Sequence, residues 1–370
     1  MSRSETRVVP ELFDGDRLRQ ARIYKGLRKV DVARAIDVTP AVIGQYESGR
    51  TRPSVSVFAS IALNLGFPPE FFERRGQPAH VAEGEAHFRK LRSTSKLERD
   101  QALVRLEFLA EVIADVEKHV ELPKVDLPEY AVDDEAPDTE PEAAAATVRQ
   151  AWRLGTGPID NVVRLLEGRG VVVIRPTVGS SGIDAFSTWI GNRPVVVLGN
   201  DKGDTARSRF DAAHELGHLV MHHDANPGRH VVEKQAHRFA AAFLMPAEII
   251  GKEFPSRMSW PAFFSLKQRW RVSLQALLYR AKTLGILSPD SYQRAHITLS
   301  QRGWRDNEPI AIGEPEEPAL LGRAFDLMRS ELNIDETAVA SECRFPEGVF
   351  RALLEGVLPS SSDRPQVAVE

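Results

Sequence analysis

His214-Glu215-Leu216-Gly217-His218 is the stretch that decides how this 370-residue chain is read. On a helix, residues four apart lie one turn apart on the same face, so His214 and His218 can converge on one cation. Glu215 projects beside them, placed to take a proton from a water held there. The setting predicts a helix over Arg207–His222: Phe210, Ala213, Leu216, Gly217 and Val220 supply a buried side, and no proline interrupts the run as far as His223. Gly217 within it costs about 1 kcal/mol relative to Ala, which predicts close packing against a neighbour. So short a string is common by chance, and a second helix of the right kind gives it weight.

Val232–Leu244 is that second helical pattern, strongly apolar, with Glu233 near its start as an available third ligand. Two histidines and one glutamate leave a fourth position open, the arrangement of a catalytic site rather than a closed structural one. Zn2+ is the cofactor this set expects, with Glu215 as general base and then as proton donor to a leaving amine. Ahead of it, Gly170–Arg175, Ile183–Ile190 and Pro194–Leu198 are rich in Val and Ile and bounded by Gly, Asn and Pro, which predicts strands. Helical spacing returns over Pro261–Leu284. Residues 147–300 are therefore expected to form an α+β domain.

Outward from that domain the composition is 42% hydrophobic and 27% charged, ordinary for a multidomain globular chain. A single cysteine, Cys343, excludes an intramolecular disulfide and a thiolate metal site. Met1–Pro10 lacks the apolar core of a signal peptide and no run approaches a membrane span, so the expected location is the cytoplasm, at the nucleoid, with no membrane partner. The formal charge of −4 hides an asymmetry. Asp14–Gly76 has eleven Lys and Arg against seven Asp and Glu, whereas Glu121–Glu142 has nine acids and one Lys. Segment 121–146, with prolines at 123, 128, 137 and 141 and four consecutive alanines, reads as a linker. Before it, 77–120 reads as a helical connector: within Ala86–Val120, Leu103, Leu106, Leu109, Val112, Ile113 and Val116 recur at helical spacing, either as a connecting helix or as part of the next core. The tail, 301–370, predicts three short helices. Aligning Val32-Ala33 with Val339-Ala340 also brings Val42 onto Val349, Ile43 onto Phe350 and Gly49 onto Gly356, a hint that the head is repeated there.

The head, 11–76, predicts five helices around Leu18, Ala21, Val32, Ala33, Ile36, Val42 and Ile43. Thr39 serves as N-cap, Pro40 as first helical residue, and Gly49 closes that helix. Its sequence over Gly26–Ala33 and Thr39 to Tyr46-Glu47-Ser48-Gly49 resembles the Cro/CI-type helix-turn-helix (XRE) regulators. The resemblance implies an Arg22–Glu47 structural ion pair and a recognition helix entering the major groove of double-stranded DNA. Where the family usually has Ser or Thr then Gln, this chain has Arg28 and Lys29. Lys29 then meets a phosphate as a point charge. Gln45 is the base-edge candidate, Ala41 faces a thymine methyl, Arg50 and Arg52 suit phosphates, and Thr39 sits at the contact end of the helix. A head that only dimerises is the alternative.

Phe210-Asp211-Ala212-Ala213 leading into His214–His218, then the Glu233-x-x-Ala236 helix ending Phe243-Leu-Met-Pro246, resembles the ImmA/IrrE family of metallopeptidase domains. This implies a zincin-like fold of thermolysin type, with His214, His218 and Glu233 as ligands and Glu215 as base. His237 stands where the family usually has Asn or Asp to orient a ligand, so it either orients a ligand histidine in that way, is an alternative ligand, or is a partly exposed histidine. His222, His223 and His230 either shape the entrance or, more economically, are surface histidines, and Arg280 is an oxyanion-stabiliser candidate that reads first as structural.

The whole is expected to be multidomain: an all-α head, a helical connector, an α+β metallopeptidase domain and a small helical tail. Joined, the modules imply a DNA-bound regulator that cleaves itself or a partner repressor on a signal, with 121–146 the accessible place for a self-cut. A ligand-sensing repressor with a silent metal site, or the antitoxin of a toxin pair, are the other readings. A palindromic operator implies a homodimer, for which Ala86–Val120 offers an apolar stripe.

Overall fold

Asp14 accepts the backbone N–H of Asp16 and so opens α1 (Gly15–Tyr24). The computed structural model describes residues 13–73, 95–175, 185–199, 205–222, 229–355 and 357. α2 (Lys29–Ala35) comes next, then α3 (Pro40–Glu47), whose first turn is capped by the Thr39 hydroxyl accepting from Val42 N–H at 3.4 Å. α4 (Val55–Leu65) ends at Gly66 in the left-handed region, φ 68°. The fifth helix expected of the head is only a 3-10 turn, Pro69–Phe72. Pro68 is extended, Pro69 opens the turn, and Glu73 returns to extended backbone after it. Leu18, Ile43, Ile61 and Phe72 are buried at its centre.

A capping box, Ser95 with Glu98, starts α5 (Lys96–His119). Residues 86–94 of the expected helix lie outside the described residues. Sequence spacing gives α5 one apolar stripe, free for a second subunit. In the structure Val104 and Phe108 are buried as well as Leu106, Leu109, Val112, Ile113 and Val116. α1 packs against α5, and Arg17 forks onto Glu111 at 2.6 and 2.8 Å while Gln20 meets Glu107 at 2.9 Å. The stripe is consumed within the chain.

The second compact unit runs from Pro123 to Leu320. Most of segment 121–146, a linker by composition, is part of it. Tyr130 and Val132 donate their N–H groups to Val220 and Met221 carbonyls, Asp126 donates to Arg169, and α6 (Glu140–Ala151) already begins within it. Asp134, Asp138 and Glu142 pair with Arg229, Lys234 and Arg238. Exposed pairs contribute little each, about 0–1 kcal/mol; the backbone bonds and buried Val132 fix this strap in place.

After α7 (Val162–Gly168) come β1 (Val172–Ile174), β2 (Phe186–Ile190) and β3 (Arg193–Val197), a sheet in the order β1-β3-β2 with β3 parallel to β1 and antiparallel to β2. α8 (Thr205–Met221) and α9 (His230–Leu244) lie against each other, α6 covers α9, and β2 and β3 touch α8. Ala213, Leu216, Phe239, Phe243, Trp152 and Val196 form part of their shared core. α10 (Ala247–Glu253) precedes α11 (Trp260–Trp270) and α12 (Leu274–Thr283). The unbroken helical spacing of Pro261–Leu284 is thus two helices rather than one. Arg271 at φ 53° and the Ser273 cap, which accepts from Ala276 N–H, separate them. α13 (Pro289–Gln301) closes the series.

The tail, a single region by sequence, divides near residue 320. Glu316, buried, accepts the N–H groups of Val162 and Val163 at the start of α7 and pairs with buried Arg209, so it belongs to the second unit. α14 (Leu320–Leu332), α15 (Glu336–Glu342) and α16 (Glu347–Leu353) lie with the head, α15 and α16 packing on α5. Among the described residues no helix is long and apolar enough to cross a membrane.

Candidate metal centre and nucleic-acid face

α8 carries His214, Glu215 and His218, and α9 carries Glu233; the crossing of the two helices makes the centre. At that crossing a Cβ on Gly217 would lie 3.0 Å from the Phe239 ring, a tighter contact than side chains ordinarily make, so glycine eases the close approach of the helices. The packing that a glycine inside this helix predicts is therefore this contact. His214 Nε2 and His218 Nε2 are 3.0 Å apart, and Glu233 reaches them at 3.3 and 3.8 Å. One ligand atom from each residue lies within 4.8 Å of the other two, the single such group of three among the described residues. Two imidazole nitrogens and a carboxylate oxygen directed at one point in a buried setting fit a zinc ion.

Three of these groups are nearly sealed from solvent: Glu215 is 3% exposed, His218 1% and Glu233 3%. Burial pushes the Glu215 carboxyl up to about 8, against the His214 charge and the hydrogen bond that Ser187 Oγ donates at 2.7 Å. Burial also opposes the charge on Glu233, but hydrogen bonds from His214 and His218 outweigh it and hold that carboxylate well below its ordinary range. His214 is raised: desolvation works against its charged form, and Glu233, Glu215 and Asp211 overcome it.

Sequence reasoning misses two further residues. Ser187 is the second residue of β2, a polar side chain in a run buried on both faces, and nothing in the sequence says what it touches. His222, a surface residue by sequence, is 1% exposed. Burial holds it down to about 4 against the hydrogen bond with Gln235, so its imidazole is neutral at physiological pH. The hydrogen bonds around it run in one direction. Gln235 donates its amide N–H to the Asp133 carbonyl of the strap at 2.7 Å, which turns its oxygen toward His222 Nε2 at 3.0 Å. His222 Nε2 therefore carries the proton and its Nδ1 accepts from His218 Nδ1 at 3.1 Å. That tautomer leaves the Nε2 lone pair of His218 directed at the ligand group. The signal that could have found His222 is its position four residues past His218, on the same face of α8.

His237, half-buried on α9, packs its ring 4.7 Å from Phe210 and 4.6 Å from Tyr279, with the His214 ring 6.4 Å away. It is not in the three-residue cluster. It lines a cavity of about 350 Å³ together with Arg207, Asp211, Tyr279, Tyr292 and His296. His230 is exposed at the start of α9, and His223 lies outside the described residues. Arg280, buried, donates to the Met245 carbonyl and to Glu142, a structural position remote from the ligands.

On the head, Thr39, Ala41, Gln45, Arg50 and Arg52 are all exposed along and after α3. Arg22 donates to Glu47 at 2.5 Å and to the Leu27 carbonyl at 2.8 Å, tying α1 to the end of α3. Lys29 joins the same carboxylate at 3.1 Å while its side chain stays about half exposed. Its ammonium thus lies beside α3 rather than extended into solvent. Thr39 has a second task, since its hydroxyl caps the helix.

Residues 166–282 match the family model described as the IrrE N-terminal-like domain, peptidase M78, and residues 15–74 match that of a helix-turn-helix domain. Among curated proteins none matches the chain. The chain joins a helix-turn-helix domain of a DNA-binding regulator to an ImmA/IrrE-type metallopeptidase domain.

Proposed function

We propose that this chain is a transcriptional regulator whose second unit is a zinc-dependent endopeptidase of zincin-like fold, acting on a protein substrate when a signal is received. The observation that carries the reading is the meeting of His214, His218 and Glu233 beside a buried Glu215 that Ser187 holds in place. When bound, zinc supplies Lewis-acid polarisation of a carbonyl and a water acidic near neutral pH. Glu215 accepts the proton of the attacking water and passes it to the leaving amine; its raised pKa suits both acts. His222 and Gln235 keep His218 in its ligating tautomer. The strap is hydrogen-bonded to α8, which favours a substrate presented in trans, such as a partner repressor, over a self-cut within 121–146. The head binds double-stranded DNA through α3, Lys29, Arg50 and Arg52. A palindromic operator requires two copies, and with α5 buried the pairing surface lies elsewhere.

The test is metal content and cleavage mapping of wild type and Glu215→Gln. We expect equal zinc in both and hydrolysis slower by about 10²–10⁴-fold in the variant. Protein that binds zinc and cuts nothing, in either form, would instead favour a ligand-sensing repressor, for which the cavity beside His237 is the receptor.

A further inference from the structure

The helix-turn-helix scaffold occurs twice in this chain. Moving α2, Lys29–Ala35, along by 307 residues lands on 336–342, the bounds of α15; α3 lands on α16, and α1 falls within α14. Core positions correspond: Leu18 with Phe325, Ala21 with Met328, Val32-Ala33 with Val339-Ala340, and Ile43 with Phe350, all buried. The backbone agrees in more demanding detail. Left-handed residues fall at Gly26 and Asn333, φ 70° and 54°, and at Asp37 and Arg344, φ 55° and 58°. Val38 N–H meets the Ala33 carbonyl at 2.9 Å, and Phe345 N–H meets Ala340 at 2.9 Å. At the second pair both residues carry a Cβ, and generic helix packing does not place such residues in the left-handed region at matching turns, because that conformation costs energy at each.

We propose that Leu320–Leu353 is a second helix-turn-helix core, silent toward DNA, that uses its turn to grip the head of its own chain. The positions that face outward have lost the residue types that meet nucleic acid: Lys29 corresponds to Glu336 and Gln45 to Ala352, and an acid, Glu347, stands at the position of Pro40. Glu47 corresponds to Leu354, fully buried, so the ion pair with the first helix is replaced by apolar contact, and Arg329 pairs with Glu336 instead. The turn has gained a function in exchange. Arg344 donates to the Glu70 carbonyl and to the Glu73 carboxylate, both at 2.7 Å. Phe345 lies 4.8 Å from Phe108 and 6.0 Å from Phe71, joining the head's 3-10 turn to α5.

Two measurements on the full chain decide it. The first is hydrogen exchange of Arg344→Gln: we expect amides of Phe67–Glu73 and of α5 around Phe108 to exchange faster by about ten-fold, the weight of a lost charge-assisted hydrogen bond, with unit two unchanged. Unaltered exchange there overturns the grip. The second is binding of a random-sequence 24-base-pair duplex at low salt, where backbone contacts dominate. Arg351→Glu reverses the one basic residue on the exposed face of α16 and is expected to bind as wild type, whereas Lys29→Glu and Arg52→Glu bind more weakly. Loss of binding in Arg351→Glu overturns the silence toward DNA. This arm rests on the reading of the head as a DNA-binding domain. If the Lys29 and Arg52 variants also bind as wild type, that reading fails, and the exchange measurement still decides the grip.

Discussion

The proposed metal centre and the proposed DNA face of this chain place their charges in opposite surroundings. Glu215, His218 and Glu233 are sealed inside the crossing of α8 and α9, whereas Gln45, Arg50 and Arg52 stand in water on and after α3. A buried titratable group must be hydrogen-bonded or it costs stability, so the centre needs Ser187, His222, Gln235 and a strap carbonyl behind it. An exposed side chain needs only a helix that faces outward. Substitutions in the first region should therefore disturb binding and folding together, and in the second binding alone.

The largest departure from wild type, after removal of the base itself, is expected of His222→Ala, which leaves the His218 tautomer unset. Zinc affinity should fall by about 10–100-fold, read by competition with a chelator; unchanged affinity would mean that the relay does not orient the ligand. Gln45→Ala should weaken discrimination between operator and non-operator duplex by about 1–3 kcal/mol while leaving the melting temperature of the protein alone. A shift in melting would break the contrast between the two regions. Gly217→Ala sets two effects against each other: helix propensity gains about 1 kcal/mol, and overpacking against Phe239 costs about 1–3 kcal/mol. We expect a net loss in thermal stability accompanied by weaker metal binding, since the same contact spaces Glu233 from the histidines.

The smallest effect lies on the head. Hydrogen bonds from the Arg28 side chain and backbone hold partly exposed Asp31 down to about 2 from its ordinary 3.8. A carboxylate with a depressed folded pKa stabilises above its unfolded value, and that contribution is lost as pH falls through the folded one. The stability difference between wild type and Asp31→Asn should thus be constant above about pH 5 and close between about pH 5 and 1, followed by denaturant melts.

Periodicity and caps make much of this legible in advance. Apolar spacing places α8 and α9 to within two residues, and Thr39-Pro40 marks the start of α3 because a cap and a proline act locally. What escapes depends on partners distant in sequence. Segment 121–146 has a composition too polar to fold alone, yet Asp134, Asp138 and Glu142 meet Arg229, Lys234 and Arg238 about a hundred residues on, and its N–H groups find the end of α8. Composition records the acids but not the bases waiting for them. His222 is misplaced for a similar reason: its spacing from His218 marks the face it shares, but its burial shows only once the Gln235 opposite it is known. α5 carries more apolar residues than one stripe needs, and that excess is the trace of the C-terminal helices packed on it.

Tyr130 and Val132 bond to carbonyls in the last turn of α8, where the helix itself supplies no further N–H groups to satisfy them, and Asp133 between them anchors the relay to His218. One short peptide is thus both the end-stop of the motif helix and the last link behind a ligand. A protease that nicked the chain there would do more than separate two pieces: it would fray the helix and release the histidine. On the proposed reading the strap is a fuse: a cut at this point would extinguish the peptidase activity of whichever molecule suffered it.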